Sequence, residues 1–76
     1  MARAHYYVVP HNGAWAIKHN DKYYSYNTKA EAKAAAVDAA HKSGKQGHDA
    51  QVIVQLTNGQ FQTEWTYGHD PYPPRG

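Results

Sequence analysis

The sequence predicts a small α+β domain, an antiparallel sheet in chain order β-β-β-α-β-β with one Ala-rich helix packed on one face. Three observations predict it. Turn signals at Asn12-Gly13 and Asn20-Asp21 divide the first third into short strand-forming runs. A capping box, Thr28-Lys29-Ala30-Glu31, opens an Ala-rich run free of Gly and Pro. A second pair of strand-like runs closes around Asn58-Gly59.

The first run, His5 to Val9, is rich in strand formers and is expected to stop at Pro10. After the His11-Asn12-Gly13 turn, Ala14 to His19 alternates, with Trp15 and Ile17 on one face and Ala16 and Lys18 on the other. Asn20-Asp21 turns the chain into Lys22 to Tyr26, the third strand of an antiparallel meander. In the capping box the Thr28 hydroxyl accepts from the Glu31 N–H, and the Glu31 carboxylate is expected to reach back to the N–H of Thr28. The helix is predicted over Lys29 to Lys42, with Ser43-Gly44 as its stop. Ala32, Ala36, Ala39 and Ala40, joined by Ala35 or Val37, form a smooth face that lets the axis sit close to the sheet.

Lys45 to Asp49 reads as a polar loop, and Ala50 to Leu56 as a strand with Val52, Val54 and Leu56 on one face. A two-residue type I′ turn at Asn58-Gly59 would pair Leu56 with Phe61, Val54 with Thr63 and Val52 with Trp65. The expected core is Trp15, Ile17, Tyr26, Ala32, Ala36, Ala40, Val52, Val54, Leu56, Phe61 and Trp65. The end of the chain, Gly68 to Gly76, holds three prolines and is expected to be an extended tail.

Composition bounds the functional classes. Seventy-six residues are expected to form one domain, with sheet and helix over 5–67 and the tail over 68–76. A chain of this size buries only about 60% of its unfolded surface. Seven Tyr, two Trp and one Phe supply the bulk that an Ala-rich helix lacks. There is no Cys, so disulfides and thiolate zinc motifs are excluded. The first residues carry no apolar run of signal-peptide type, and no stretch approaches the ~20 apolar residues of a membrane span. These features lead to the expectation of a cytoplasmic protein without membrane contact. A formal net charge of +2, from eight basic and six acidic residues, is weaker than the dense basic face of a strong nucleic-acid binder.

No catalytic constellation emerges. Six His (5, 11, 19, 41, 48, 69) form no zinc signature and read as solvated side chains, so no metal or cofactor is expected. The two Ser, Ser25 and Ser43, lack a nucleophile elbow. Asp70 beside His69 reads as a turn former before Pro71 rather than as half of an acid–base pair. Gly44 and Gly47 follow a helix rather than precede one and offer no phosphate cradle.

Two segments remain as candidate binding surfaces. On the open face of the sheet, Tyr6, Lys18, Lys22 and Tyr23 can form a stacking platform for bases or a partner surface, against the plainer reading of cross-strand aromatic pairing. In the tail, Tyr67, Asp70, Pro71, Tyr72, Pro73 and Pro74 form the second segment, and Tyr67 to Pro73 is expected to pack on the body of the domain, against the competing reading of a free polyproline ligand. The expected function is a non-enzymatic interaction module binding a protein partner or a second copy of itself, with weak nucleic-acid binding as the alternative.

Four segments carry a family resemblance: Tyr7-Val8-Val9-Pro10, Gly13-Ala14-Trp15-Ala16-Ile17-Lys18, Thr28-Lys29-Ala30-Glu31-Ala32, and Tyr67-Gly68-His69-Asp70-Pro71-Tyr72-Pro73-Pro74. Together they resemble the small prokaryotic family known as domain of unknown function 2188, over nearly the whole chain. Asn58-Gly59-Gln60 replaces the family's usual Gly-Arg-type turn in the last hairpin. The resemblance implies no activity and assigns no functional residue. More loosely, three strands with a Trp in the second, followed by Thr-x-x-Glu-Ala opening an Ala-rich helix, are similar to the arm-binding domain of phage-type integrases. They are similar also to the N-terminal hybrid-binding domain of some ribonucleases H. Likeness at this level does not license function.

Overall fold

The computed structural model describes residues 3–72. The elements are β1 (Arg3–His11), β2 (Ala14–His19), β3 (Lys22–Tyr26), α1 (Lys29–Lys45), β4 (Asp49–Gln55) and β5 (Phe61–Thr66). The strands form one sheet in the order β3-β2-β1-β4-β5, with α1 across one face. The sheet is mixed, which corrects the expectation of a purely antiparallel one. β1 and β4 run parallel, from Arg3↔Asp49 to Val8↔Val54. The helix causes this: it carries the chain back over the sheet, so β4 enters beside β1 pointing the same way, the connection a parallel pair needs. Both central strands are apolar on both faces, through Val8-Val9 and Val52-Ile53-Val54.

The first two turns follow the sequence. Asn12 and Gly13 both have positive φ (51° and 78°) between the paired residues His11 and Ala14. Asn20 and Asp21 repeat the geometry (50° and 63°) between His19 and Lys22. Both are two-residue type I′ loops, whose twist matches that of the strands. β1 does not stop at Pro10, which pairs with Trp15 inside the strand. The parallel pairing with β4 has ended at Val8, so the proline sits where no ladder bond to β4 is lost.

The last hairpin departs from the expected register. Its loop has three residues, Thr57 to Gly59: the N–H of Gly59 donates to the Leu56 carbonyl (2.9 Å), and the N–H of Leu56 to the Gln60 carbonyl (2.7 Å). Gly59 takes the left-handed position at φ 86°. The extra loop residue slips the pairing by one, to Gln55↔Phe61, Val54↔Gln62 and Ile53↔Thr63. A one-residue slip turns every side chain over. Phe61 therefore leaves the expected core for the opposite face and is 55% exposed, while Leu56 is only partly buried. A bulge at Glu64 absorbs the slip and restores Val52↔Trp65, with Trp65 buried at 2% exposure.

In α1, Thr28 caps the N-terminus by accepting from the Glu31 N–H at 3.1 Å. The Glu31 carboxylate accepts from the Thr28 hydroxyl (3.1 Å) instead of from the Thr28 N–H. Thr28→Ala is expected to cost about 1 kcal/mol, read as a lower denaturation midpoint at unchanged slope. The helix runs to Lys45, three residues beyond the expected Lys42 and through the expected Ser43-Gly44 stop. Gly47 (φ 93°), not Gly44, is the left-handed terminator. The His48 N–H donates to the Ser43 carbonyl (3.2 Å) and the Gly47 N–H to the Gly44 carbonyl (3.0 Å), the paired bonds of a Schellman ending.

The core lies between α1 and the sheet. Ala32, Ala36, Val37 and Ala40 of the helix meet Ala4, Tyr6, Val8, Ile17, Ala50, Val52, Val54 and Trp65. Trp15, Tyr26 and Tyr67 pack on its rim. Small side chains on the helix and large ones on the strands divide the volume as the Ala run implies.

Candidate interaction surfaces

Alternation places the side chains of the sheet. Register carries Lys18, Tyr23, Tyr7, Ile53 and Phe61 to the face opposite the helix. There Tyr7 meets Phe61 edge to face (5.8 Å), Tyr23 stacks on His11 (4.2 Å), and the Lys18 ammonium stands 5.9 Å from the Tyr23 ring centre. Among the described residues no helix lies over this face.

Of the four sheet residues singled out from sequence, the structure brings only Lys18 and Tyr23 together here. Tyr6 is buried on the helix side, stacked on His19 (4.1 Å), with its hydroxyl 2.7 Å from Ser43 Oγ. It is a core tyrosine with a satisfied polar end. Lys22 pairs with His19 and so points to the helix side, at the exposed rim. Tyr7 and Phe61 take their places on the open face. Alternation along β1 sets Tyr7 on the face opposite Tyr6 without saying which of them meets the helix, whereas Phe61 depends on the three-residue loop.

The tail folds back. Gly68 (φ 87°) lets the chain reverse, and the N–H groups of His69 and Asp70 donate to the Thr66 carbonyl (3.2 and 3.0 Å). Asp70 Oδ2 accepts from the Thr66 N–H at 2.8 Å. Residues 67–70 thus make a turn rather than an extended segment. The Trp65 indole donates to the Pro71 carbonyl (2.9 Å), and Tyr72 stacks flat on His41 of α1 (3.7 Å, 7°). The Tyr72 hydroxyl donates to Asp38 Oδ1 at 2.6 Å. Tyr67 packs against Gly44, where no Cβ stands in the way. Tyr67, Asp70, Pro71 and Tyr72 therefore hold the tail to the body, while Pro73 and Pro74 lie outside the described residues. Sequence reasoning missed Asp38 and His41, although both lie on one side of α1, three residues apart.

The Asp38 carboxylate that accepts the Tyr72 proton raises the phenol above its usual 10.0; desolvation and the carboxylate's charge push the same way. A raised folded-state value contributes stability that is full below pH 10 and is lost as pH rises through that value. Alkaline titration followed by Trp65 fluorescence is expected to show the tail releasing above pH 10, a step that Tyr72→Phe removes.

At the start of β1, a cleft gathers Arg3, His5, His48, Asp49 and His69. Among the described residues, no three His, Asp or Glu side chains group closely enough to hold a metal ion. No described helix is long and apolar enough to cross a membrane.

No curated protein and no solved structure matches the chain. One family does, over residues 6–67, from the first core tyrosine to the ring that packs on Gly44. The chain belongs to DUF2188, a family described as uncharacterized protein conserved in bacteria.

Proposed function

We propose that this domain is a non-enzymatic interaction module that uses the open face of its sheet to hold a protein partner or a further copy of itself. The observation that carries the reading is the uncovered group of Tyr7, Tyr23 and Phe61, with Phe61 and Tyr23 exposed at 55% and 46%. Rigid aromatic side chains bury a large area at low entropic cost, which suits them to contact surfaces. A chain without Cys fits the reducing cytoplasm. The test is retention of proteins from the source cell on the immobilised chain, wild type against a Tyr23→Ser/Phe61→Ser variant. The reading expects partners, or further copies, held by the wild type and released by the variant. Equal retention on both moves the contact off this face.

A second reading, weak binding of single-stranded nucleic acid, is favoured by one observation: the Lys18 ammonium beside the exposed Tyr23 ring. A cation next to a stacking surface is the arrangement such sites use. Titration with a fluorescent oligonucleotide should then give affinity that falls steeply with salt and is lost in Lys18→Glu. Absence of binding at low salt eliminates this reading.

A further inference from the structure

The two edges of the sheet are unlike. β5 is blunted by the bulge at Glu64, and the chain beyond it turns back onto the domain. Bulges of this kind guard an edge against pairing. β3 has neither a bulge nor a proline, and Lys22 to Ser25 are all exposed. Its hairpin geometry fixes which backbone groups are free. A two-residue loop makes His19 and Lys22 a hydrogen-bonded pair, so Lys22, Tyr24 and Tyr26 turn their N–H and C=O toward β2. Tyr23 and Ser25 therefore turn theirs outward. On the helix side, an open groove lined by Ile17, Tyr24, Tyr26, Ala35 and Ala39 runs beside this edge. The helix is built of Ala there, and Tyr24 remains 48% exposed.

We infer that β3 pairs antiparallel with β3 of a second copy, about a two-fold axis at Tyr24, joining two sheets into one and closing the groove. The inference rests on the reading of the domain as an interaction module and adds to it a second contact, at the β3 edge, with a copy of this chain. Self-complementarity argues for a second copy. With Tyr24 on the axis, Tyr23 of each chain lies opposite Ser25 of the other, so the outward N–H and C=O groups exchange four hydrogen bonds. Lys22 falls opposite Tyr26, which sets a cation beside a ring and keeps the two lysines apart. The two Tyr24 rings meet on the helix side, each next to the other's groove. Both helices then lie on the same face of the joined sheet, flanking the pair, and the open faces stay free for the role proposed above.

The absence of Cys makes a direct test clean. A pair of this kind sets its Cα atoms about 4.5 Å apart, inside the roughly 4.4–6.8 Å that a disulfide spans. Tyr24→Cys is expected to oxidise to a covalent dimer at least tenfold faster than Asn58→Cys, placed in the last hairpin loop. Sedimentation of the wild-type chain should give a concentration-dependent mass rising from 8.5 kDa toward twice that value. Ser25→Pro, which removes an outward N–H, and Tyr24→Glu, which opposes two charges on the axis, should each hold the chain at monomer mass with an unchanged circular-dichroism spectrum. A wild-type chain that stays monomeric at millimolar concentration, with Tyr24→Cys cross-linking no faster than the control, overturns the inference. A dimer that survives both edge variants but is lost in Phe61→Ser also overturns it, while leaving the interaction reading in place.

Discussion

Replacing Gly44 with Ala is expected to destabilise the protein by about 2 kcal/mol, within the range typical of overpacking a filled core. The sign makes the result diagnostic. Within a helix, Gly→Ala normally stabilises by about 0.5–1 kcal/mol. At position 44 the added Cβ would stand inside the Tyr67 ring. Tyr67 extends from the end of β5, and its backbone N–H is held by the Ala50 carbonyl at 3.0 Å, so the ring cannot retreat without moving the strand end. In a domain of this size the loss corresponds to a melting temperature lower by on the order of 10 °C. Removing the ring as well should relieve the overlap. Gly44→Ala is therefore expected to cost less in a Tyr67→Ala background than alone, a coupling readable from a double-mutant cycle by urea denaturation. A Gly44→Ala variant that melts higher than wild type would show that the ring does not rest on the helix.

Truncation after Gly68 is expected to cost about 3 kcal/mol, since it removes a charge-assisted hydrogen bond and a second hydrogen bond and uncovers apolar surface beneath the tail. The first bond is that of Asp70 to the Thr66 N–H, and the second is that of the Trp65 indole to the Pro71 carbonyl. The flat contact of Tyr72 on His41 is lost as well. For a small domain this is a large share of the total stability, and the thermal midpoint should fall by more than about 10 °C. An unchanged midpoint, with fast amide exchange at Tyr72, would return the tail to the free-ligand reading.

What the sequence disclosed was what short range decides. Asn12-Gly13, Asn20-Asp21 and Thr28-x-x-Glu31 act on their immediate neighbours: both turns form as expected, and Thr28 caps the helix although Glu31 takes the Thr28 hydroxyl rather than its N–H. The parallel seam was hidden because nothing local says which edge of the meander β4 joins. The apolar residues on both faces of β1 and β4 were the available signal, since near-continuous apolar runs are typical of interior parallel strands. Asn58-Gly59 is ambiguous by nature: the glycine serves equally as the second residue of a two-residue loop or the third of a three-residue one. That ambiguity moved Phe61 from core to surface. Gly44 reads as a terminator until Tyr67, far along the chain, is seen to require the space. Of the candidate site, Lys18 and Tyr23 were legible from alternation. Tyr6 was misplaced because a run of two tyrosines gives no hint of which one faces the helix. The tail's docking was legible in outline, since Gly68, Asp70 and the tyrosines each have a folding role; its anchors on Asp38 and His41 were not.

The parallel seam also has a kinetic consequence. The meander β1-β2-β3 and the hairpin β4-β5 each close through neighbouring residues, but the seam joins Arg3 to Asp49 across the whole intervening chain. Closing so long a loop costs entropy before any seam contact repays it, and such pairings govern how fast a domain folds. The strands on either side of the seam are the most buried in the sheet, with Val8 and Val52 fully enclosed. Neither local unit can cover that surface by itself. The meeting of the two units at their shared centre is therefore the expected rate-limiting event in folding, and synthesis must proceed past β4 before β1 gains its second neighbour.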